Sequence, residues 1–521
     1  MSKTQTSLSV VAPGSLGLNT KQAALDLGPN WSTDVKNAVI AEDGTLAARN
    51  GWQKTFDTPL TGEPNVKSLF EYIDESNVRR FIFAAGNKIY EDFNNPSDVT
   101  GTITTPTDDN WKFINFNKKC IGIQSGHAPI VKTAEGDFED IAFDTAPNDP
   151  IEVLSGWGRV WYVDADRQTI RYSDLLQEDI LDTGSAGIIN METVWVKGSD
   201  EIVAISSFNN FLVIFGRRQV VLYQGAEDPN NSLQLADIIT NTGCIARDSV
   251  QSVGDDIFFL SDEGVISVAR NIQSGSLPLS NVSENVSNFL SVFSQSEAPE
   301  NIKSMFKTDE GYYVLTFPTS NRVFYFNFRY LTSEGLETED VQLRAKVSKP
   351  RVSVWTDITP TAFLYSSSTG NVFIGKPGVV GEYKGYQDNG QPYDFEVKTG
   401  WLSGGGEGGT TKKVFKQAVV VARGGYATDL VFEWFYDYIP TGYDSSLLSI
   451  EAATSPSEYG IAEYGKDEYS SSNFITSLLY NMTGSGKTFA LGFRSTINGS
   501  EIEIQKIDLF IKTGKINRRT R

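Results

Sequence analysis

Histidine is almost missing from this chain: His127 is the only one in 521 residues. Cysteine is nearly as rare, with Cys120 and Cys244 far apart in sequence. Together these shortages exclude a zinc site of the usual Cys/His type and a disulfide framework, and they remove most Ser-His-Asp and Cys-His schemes. For Cys120 and Cys244 two buried free thiols are the commoner outcome in a reducing compartment, with a Cys120–Cys244 bridge the alternative. Basic residues are also in deficit, with Lys+Arg 45 against Asp+Glu 65 and a net charge of −20. Gripping nucleic acid through its phosphates needs Lys and Arg to displace counterions, so that mode is excluded. An acidic wall instead repels DNA and lets it slide past. No apolar run reaches membrane-spanning length, and MSKTQTSLSVVAPGS lacks an apolar signal region. We therefore expect no membrane span and folding in the cytoplasm.

What is present is β-forming sequence. Hydrophobic residues make up 40% and aromatics 12%, enough for a packed core. Apolar runs alternate with tight polar turns, the signature of hairpins. Seven such hairpins follow one another: Arg79–Phe93, Lys118–Ala134, Gly158–Leu175, Asn209–Gly225, Asp255–Arg270, Glu310–Arg329 and Thr361–Gly375. Their turns recur every ~40–55 residues, the period of propeller blades, with one clear hairpin per blade. The fold expected is mainly β: a β-propeller of six to eight blades over 61–376, preceded by an N-terminal arm and docking hairpin in 1–60. After Pro377 the texture changes to longer strands, Phe415–Gly424, Asp429–Tyr438, Lys487–Ile497 and Ser500–Lys515. These read as a C-terminal β-sandwich over 377–521, interrupted by a long polar loop, 440–472. Helix is scarce. Thr20–Gly28 offers one or two turns, and Ser283–Gln295 offers a helix with Ser283 or Asn281 as N-cap.

Gly484-Ser485-Gly486-Lys487-Thr488 spells the end of a phosphate-binding P-loop. The motif's first glycine would fall at 481, which is Asn481, and FALGFRS reads on as a strand where the chemistry needs a helix N-terminus. The segment is expected to be a turn between two strands, with Lys487 solvated. LSDEGVIS and KTDEGYYV carry Asp-Gly turns but lack the Ser and Trp of a sialidase-type box; local turn chemistry accounts for them. His127 in QSGHAPIV is expected at an exposed turn, with no nucleophile motif beside it. Trp111, Trp157, Trp161, Trp195 and Trp355 are expected in cores and blade seams. The basic KTGKINRRTR at the C-terminus reads as a solvated end. No catalytic, cofactor-binding or metal-binding set emerges.

The N-terminal stretch Pro13–Trp52 is dense in signals. Gly17-Leu18-Asn19-Thr20 is followed by Asn37-Ala38-Val39, a hairpin turn at Asp43-Gly44, and Arg49-Asn50-Gly51-Trp52. An Arg held between strands with Asn-Gly after it suits docking of the arm on the propeller. This order of residues resembles the nozzle or tail-hub proteins of short-tailed bacteriophages, the tail tubular B-type and packaged-DNA-stabilisation proteins. Gly17, Leu18, Asn19, Thr20, Asn37, Gly44, Arg49, Asn50 and Gly51 carry the resemblance, over about the first tenth of the chain. The resemblance implies a structural virion protein and no enzyme or cofactor. It implies a homohexameric ring below the portal and adaptor that extends the DNA channel, retains the packaged genome and permits its ejection. Tail fibres or tailspikes are further implied partners, and genomic DNA would pass the lumen without sequence-specific binding. The competing class is a tail-associated propeller that binds or depolymerises glycan, with carboxylates at the propeller mouth.

Overall fold

The computed structural model describes residues 5–133, 136–196, 198–274, 280–332, 349–403, 412–424, 428–439, 444–450 and 474–513. All seven expected hairpins are present, and they build a β-propeller. Blade 1 comprises Val66–Ile73, Arg79–Ala85, Lys88–Glu91 and Ser97–Asp98, antiparallel throughout. Blades 2, 3 and 4 repeat this four-stranded pattern over 112–140, 152–190 and 202–240. Blade 5 has three strands, Gln251–Val253, Asp256–Ser261 and Gly264–Ser267. Blade 6 runs from Lys303–Lys307 to Lys349–Trp355. Blade 7 consists of Ala362–Tyr365, Val372–Lys376 and Val379–Glu382, completed by Gln53–Lys54 from the N-terminal region. The first strands of blades 1 to 4 touch in sequence, as do those of blades 5 to 7; blade 4 reaches blade 5 through the turn Arg247–Ser249, and blade 7 meets blade 1, closing the ring. Six four-stranded blades and one three-stranded blade thus fall within the expected six to eight.

The ring closes by the physics that built the blades. Each blade buries both faces against its neighbours, which is why the central strands are apolar on successive residues instead of alternating. Ile257, Phe259 and Ile266 of blade 5 pack on Val213, Phe215 and Val220 of blade 4. On its other face, Phe258 and Leu260 pack with Tyr313, Leu315 and Phe324 of blade 6.

The C-terminal strands form a β-sandwich. One sheet orders Phe474–Asn481, Lys413–Gly424, Ile502–Thr513, Leu46–Ala48 and Ala38–Ile40, with Gln5–Val11 also paired to Ile502–Thr513. The other runs Trp31–Lys36, Tyr393–Thr399, Phe489–Ile497, Thr428–Tyr436 and Asp444–Ile450. Phe415, Phe432, Tyr480, Phe493 and Leu509 fill the space between them. The N-terminal segment is therefore woven through the molecule. It gives strands to both sandwich sheets before it completes blade 7. The second sheet is also continuous with blade 6, because Trp31–Lys36 pairs in parallel with Lys349–Trp355 at Val354 and Lys36.

Several local expectations fail for identifiable reasons. No helix forms over 20–28; the Asn19 Oδ1 accepts the backbone N–H groups of Lys21 and Gln22, both at 3.1 Å, and bends the chain instead. The second helix is real but begins later, as a short 3₁₀ turn Glu284–Val286 followed by Ser287–Ser296. Neither Ser283 nor Asn281 caps it, since Ser283 Oγ accepts the Val265 N–H of blade 5 and Asn281 Oδ1 accepts the Ser283 N–H. Part of the 440–472 loop is a strand, Asp444–Ile450; 440–443 and 451–472 lie outside the described residues, as do the Gly-rich 404–411 and the basic 514–521.

Candidate functional site

Of the residues that carry the resemblance, Asn37, Arg49, Asn50 and Gly51 converge on the seam between propeller and sandwich. Arg49 is fully buried and forks onto Asp388, with Nη1 to Oδ1 at 2.9 Å and Nη2 to Oδ2 at 2.7 Å. Its Nε donates to Asn37 Oδ1 at 3.0 Å, and its remaining N–H groups reach the carbonyls of Asn50 and Thr356. The guanidinium also stacks over the Tyr393 ring, 4.1 Å from the centroid, while the Tyr393 hydroxyl donates to the Arg49 carbonyl. Burial opposes the charge, yet the Asp388 hydrogen bonds outweigh it and hold the guanidinium pKa above its ordinary value. A lysine could not replace this planar fork.

Asn37 organises the other side. It sits at φ 57°, a left-handed conformation that asparagine tolerates. Its Oδ1 accepts the Thr356 N–H at 2.8 Å as well as Arg49, and its Nδ2 donates to the Asp394 carbonyl at 2.7 Å. Gly51 lets the chain pass against 385–387: a Cβ there would lie 2.0 Å from the Gln387 carbonyl oxygen. Gly17 is equally constrained, at φ +87° with a would-be Cβ 2.6 Å from the Val352 amide. Leu18 packs into the blade 5–blade 6 core, and Thr20 donates through N and Oγ1 to the Asn285 carbonyl. Gly44 occupies the tip of the Ala38–Ala48 hairpin. The motif is a set of fasteners: Gly17–Thr20 pins the arm to blades 5 and 6, and Asn37 with Arg49–Gly51 locks the sandwich to blades 6 and 7.

A second charged cluster gathers at the first strands of the propeller blades. Lys303 pairs with Asp248 at 2.6 Å and donates to Asn110 Oδ1 at 2.5 Å. Arg247 pairs with Asp248 at 3.0 Å and donates to the Ile151 carbonyl. Lys112 pairs with the fully buried Glu152, and Lys67 with Asp109 at 2.8 Å. Burial raises the Glu152 carboxyl pKa despite Lys112 and Arg247. At Asp248 burial is overcome by Arg247 and Lys303, and its pKa falls far below the carboxylate range. Arg247 and Asp248 line both a mouth of about 620 Å³ and a chamber of about 190 Å³ behind it. The ion pairs join residues on or beside the first strands of blades 1, 2, 3 and 6. The mouth also carries Glu201 and Glu300, while Asp108 beside it pairs with Lys67 at 3.3 Å.

Other sequence candidates resolve plainly. Thr483–Gly486 is only partly the expected turn: Ser485–Gly486 forms a short strand paired with Lys413–Val414 of the first sandwich sheet, Phe489–Ile497 of the other sheet follows, no helix does, and Lys487 is exposed. His127 is buried, not exposed: its ring nitrogens contact the carbonyls of Ala128 and Thr104, and its ring meets Trp111 edge-on. Asp262 does not brace its own turn; Ser261 Oγ does so, accepting the Glu263 N–H, while Asp262 faces Arg217. Trp111, Trp161, Trp195 and Trp355 are core residues, and Trp157 is half-buried. Cys120 and Cys244 are buried free thiols. Among the described residues no three His, Cys, Asp or Glu gather to hold a metal, and no helix is long and apolar enough to cross a membrane. The partners of Arg49, and the ion pairs of the second cluster, were beyond sequence reading: Asp388 lies 339 residues from Arg49.

No family model and no curated protein matches this chain. Solved structures with similar chains include the computationally designed Ika8 protein, 12% identical over 64% of this chain and 99% of its own, with a TM-score of 0.36. The Neurospora crassa Pan2 WD40 domain is 6% identical over 64% of this chain and 96% of its own, at 0.38. Kluyveromyces lactis Hsv2 is 11% identical over 61% and 98%, at 0.32. Likenesses this distant carry no argument about function.

Proposed function

We propose that the protein is a structural component of a bacteriophage tail, the nozzle ring that continues the DNA channel below portal and adaptor. In this reading it is not an enzyme. Six copies surround the channel, retain the packaged genome and release it on contact with the host. The observation that carries the reading is the convergence of Asn37, Arg49, Asn50 and Gly51 on one buried seam. The resemblance rests on these residues, and they bind propeller and sandwich into one stiff block, as a part that bears the pressure of packaged DNA requires. The net charge of −20 supports a lumen to which DNA does not adhere. In this reading the channel runs between copies, not through a propeller. Negative-stain imaging of the purified protein, alone and with its adaptor, tests this. Six-fold rings with an open axis are the expected result; monomers in every preparation, or release of sugar from host glycan, would overturn it. A second reading, a glycan-binding propeller protein, has its own support in a cleft away from the propeller mouth.

A further inference from the structure

A cleft of about 630 Å³ opens where the Ala38–Ala48 hairpin, the start of Ile502–Thr513 and two strands of blade 6 meet. Its volume is that of a small-molecule site. The walls are aromatic: Tyr312, Tyr325, Tyr383 and Tyr386 all line it, backed by Trp355, which stacks on Tyr325 and Tyr383. Five carboxylates, Glu42, Asp43, Glu310, Glu501 and Glu503, and two guanidiniums, Arg329 and Arg423, complete it.

Two polar groups in this cleft lack partners. Tyr312 is 3% exposed, yet its hydroxyl makes no hydrogen bond among the described residues. It is not an atom sealed in the interior either, and it belongs to the cleft lining. The Asn50 side chain also lines the cleft; its backbone N–H donates to Tyr383 Oη and its carbonyl accepts from Arg49, but its amide is unengaged. Both groups line the cleft and keep donor and acceptor capacity for a ligand.

The charges, by contrast, are mostly answered. Glu310 pairs with Lys307 at 2.5 Å, Glu503 with Arg423 at 3.6 Å and Glu42 with Arg329 at 3.9 Å. Thr45 Oγ1 bridges Asp43 and Glu503, at 2.6 and 2.7 Å. The open valences are a hydroxyl and an amide, groups that both donate and accept. That pattern, between ring faces, matches a polyhydroxylated ring better than it matches a cation. The excess of carboxylates repels phosphates, uronates and other anions.

We propose that this cleft binds a neutral or amino-substituted saccharide, with the Tyr312 hydroxyl and the Asn50 amide bonding its hydroxyls and Tyr383 and Tyr386 covering its C–H face. This goes beyond the ring assembly and does not depend on it; a monomer could bind the sugar, and a ring could lack the site. The test is saturation-transfer NMR and calorimetry on the full chain with cellobiose, maltose, lactose and chitobiose, up to about 10 mM, with tetralysine as the cationic probe. Saturable binding of at least one disaccharide is expected. Tyr312→Phe should weaken it roughly three- to ten-fold, the worth of one hydrogen bond. It should leave the melting temperature unchanged, because the hydroxyl has no protein partner to lose. Asn50→Ala should weaken binding similarly. The proposal is overturned if no disaccharide binds, if tetralysine alone binds, or if Tyr312→Phe binds the sugar as tightly as the parent.

Discussion

At the scale of single residues, Arg49 decides the most. It makes a bidentate pair, a ring contact and three further hydrogen bonds without any exposure. Breaking a buried pair on one side leaves the other charge uncompensated, at a cost of about 3–5 kcal/mol. We expect Arg49→Lys and Asp388→Asn each to lower unfolding free energy by a few kcal/mol in urea titrations. The double variant should cost much less than the sum, because the two act through one contact. Lys376 supplies a pH signature. Its ammonium is buried over the Trp52 ring, 4.9 Å from the centroid, and donates to the Ile358 carbonyl. Burial pushes its pKa down from 10.5 to about 8, against the pull of Asp388. Between those values the unfolded chain holds a proton that the folded chain has released, so Lys376 makes stability rise with pH there. The full window is worth about 3 kcal/mol. Melting temperatures of Lys376→Met relative to the parent, taken from pH 7 to 9.5, should show the variant's advantage shrinking as pH rises. A constant difference would remove Lys376 as the source.

At the scale of elements, the N-terminal segment acts as a lace. Gln53–Lys54 completes blade 7, and Thr55 continues the pairing, its N–H donating to Val380 at 2.9 Å and its Oγ1 to the Phe93 carbonyl of blade 1. Thr55→Pro removes both bonds and should cost about 3 kcal/mol or more. Hydrogen exchange should then accelerate in blades 7 and 1 ahead of blades 3 and 4; uniform acceleration would contradict the lacing. Much of the element level was legible in the sequence. All seven hairpins announced themselves, because a period-two or apolar run followed by Gly, Asn or Asp is a local signal. Four of the sandwich strands were legible for the same reason, whereas Tyr393–Thr399, Asp444–Ile450 and Phe474–Asn481 were not. What was not legible is non-local: blade 7's fourth strand comes from residue 53, and the Arg49 fork closes on residue 388. Local reading also erred where side chains compete with the backbone. Asn19 bends the chain at a site that looked helical, and Ser283 serves blade 5 instead of capping a helix. The buried His127 was misread because its partners are two backbone carbonyls and Trp111, none of which sequence spacing reveals. The saccharide cleft left only one trace in the sequence, Asn50 in the resemblance motif.

At the scale of the whole molecule, three features bear on one another. Propeller and sandwich share a continuous sheet and a hydrophobic core that runs from Phe432 and Phe493 into Tyr325, Trp355 and Ile374 of blades 6 and 7. The two therefore move as one body in the ring reading, and any gate must be a loop, not a domain hinge. Arg247, Asp248 and Lys303 cluster beside the propeller's first strands, and in the ring reading DNA would meet the outside of each copy. The acidic balance of the chain makes that surface repulsive on average. Gly484–Thr488 supplies no helix N-terminus for a phosphate, since Ser485–Gly486 pairs with Lys413–Val414 and Phe489–Ile497 follows as a strand.

The most direct test of the ring reading is the mass of the assembled protein, measured by analytical ultracentrifugation across a concentration series, with and without its adaptor. The account predicts a species of six times the protomer mass, formed at the latest on adding the adaptor. A protomer mass at every concentration, adaptor present or absent, would contradict it.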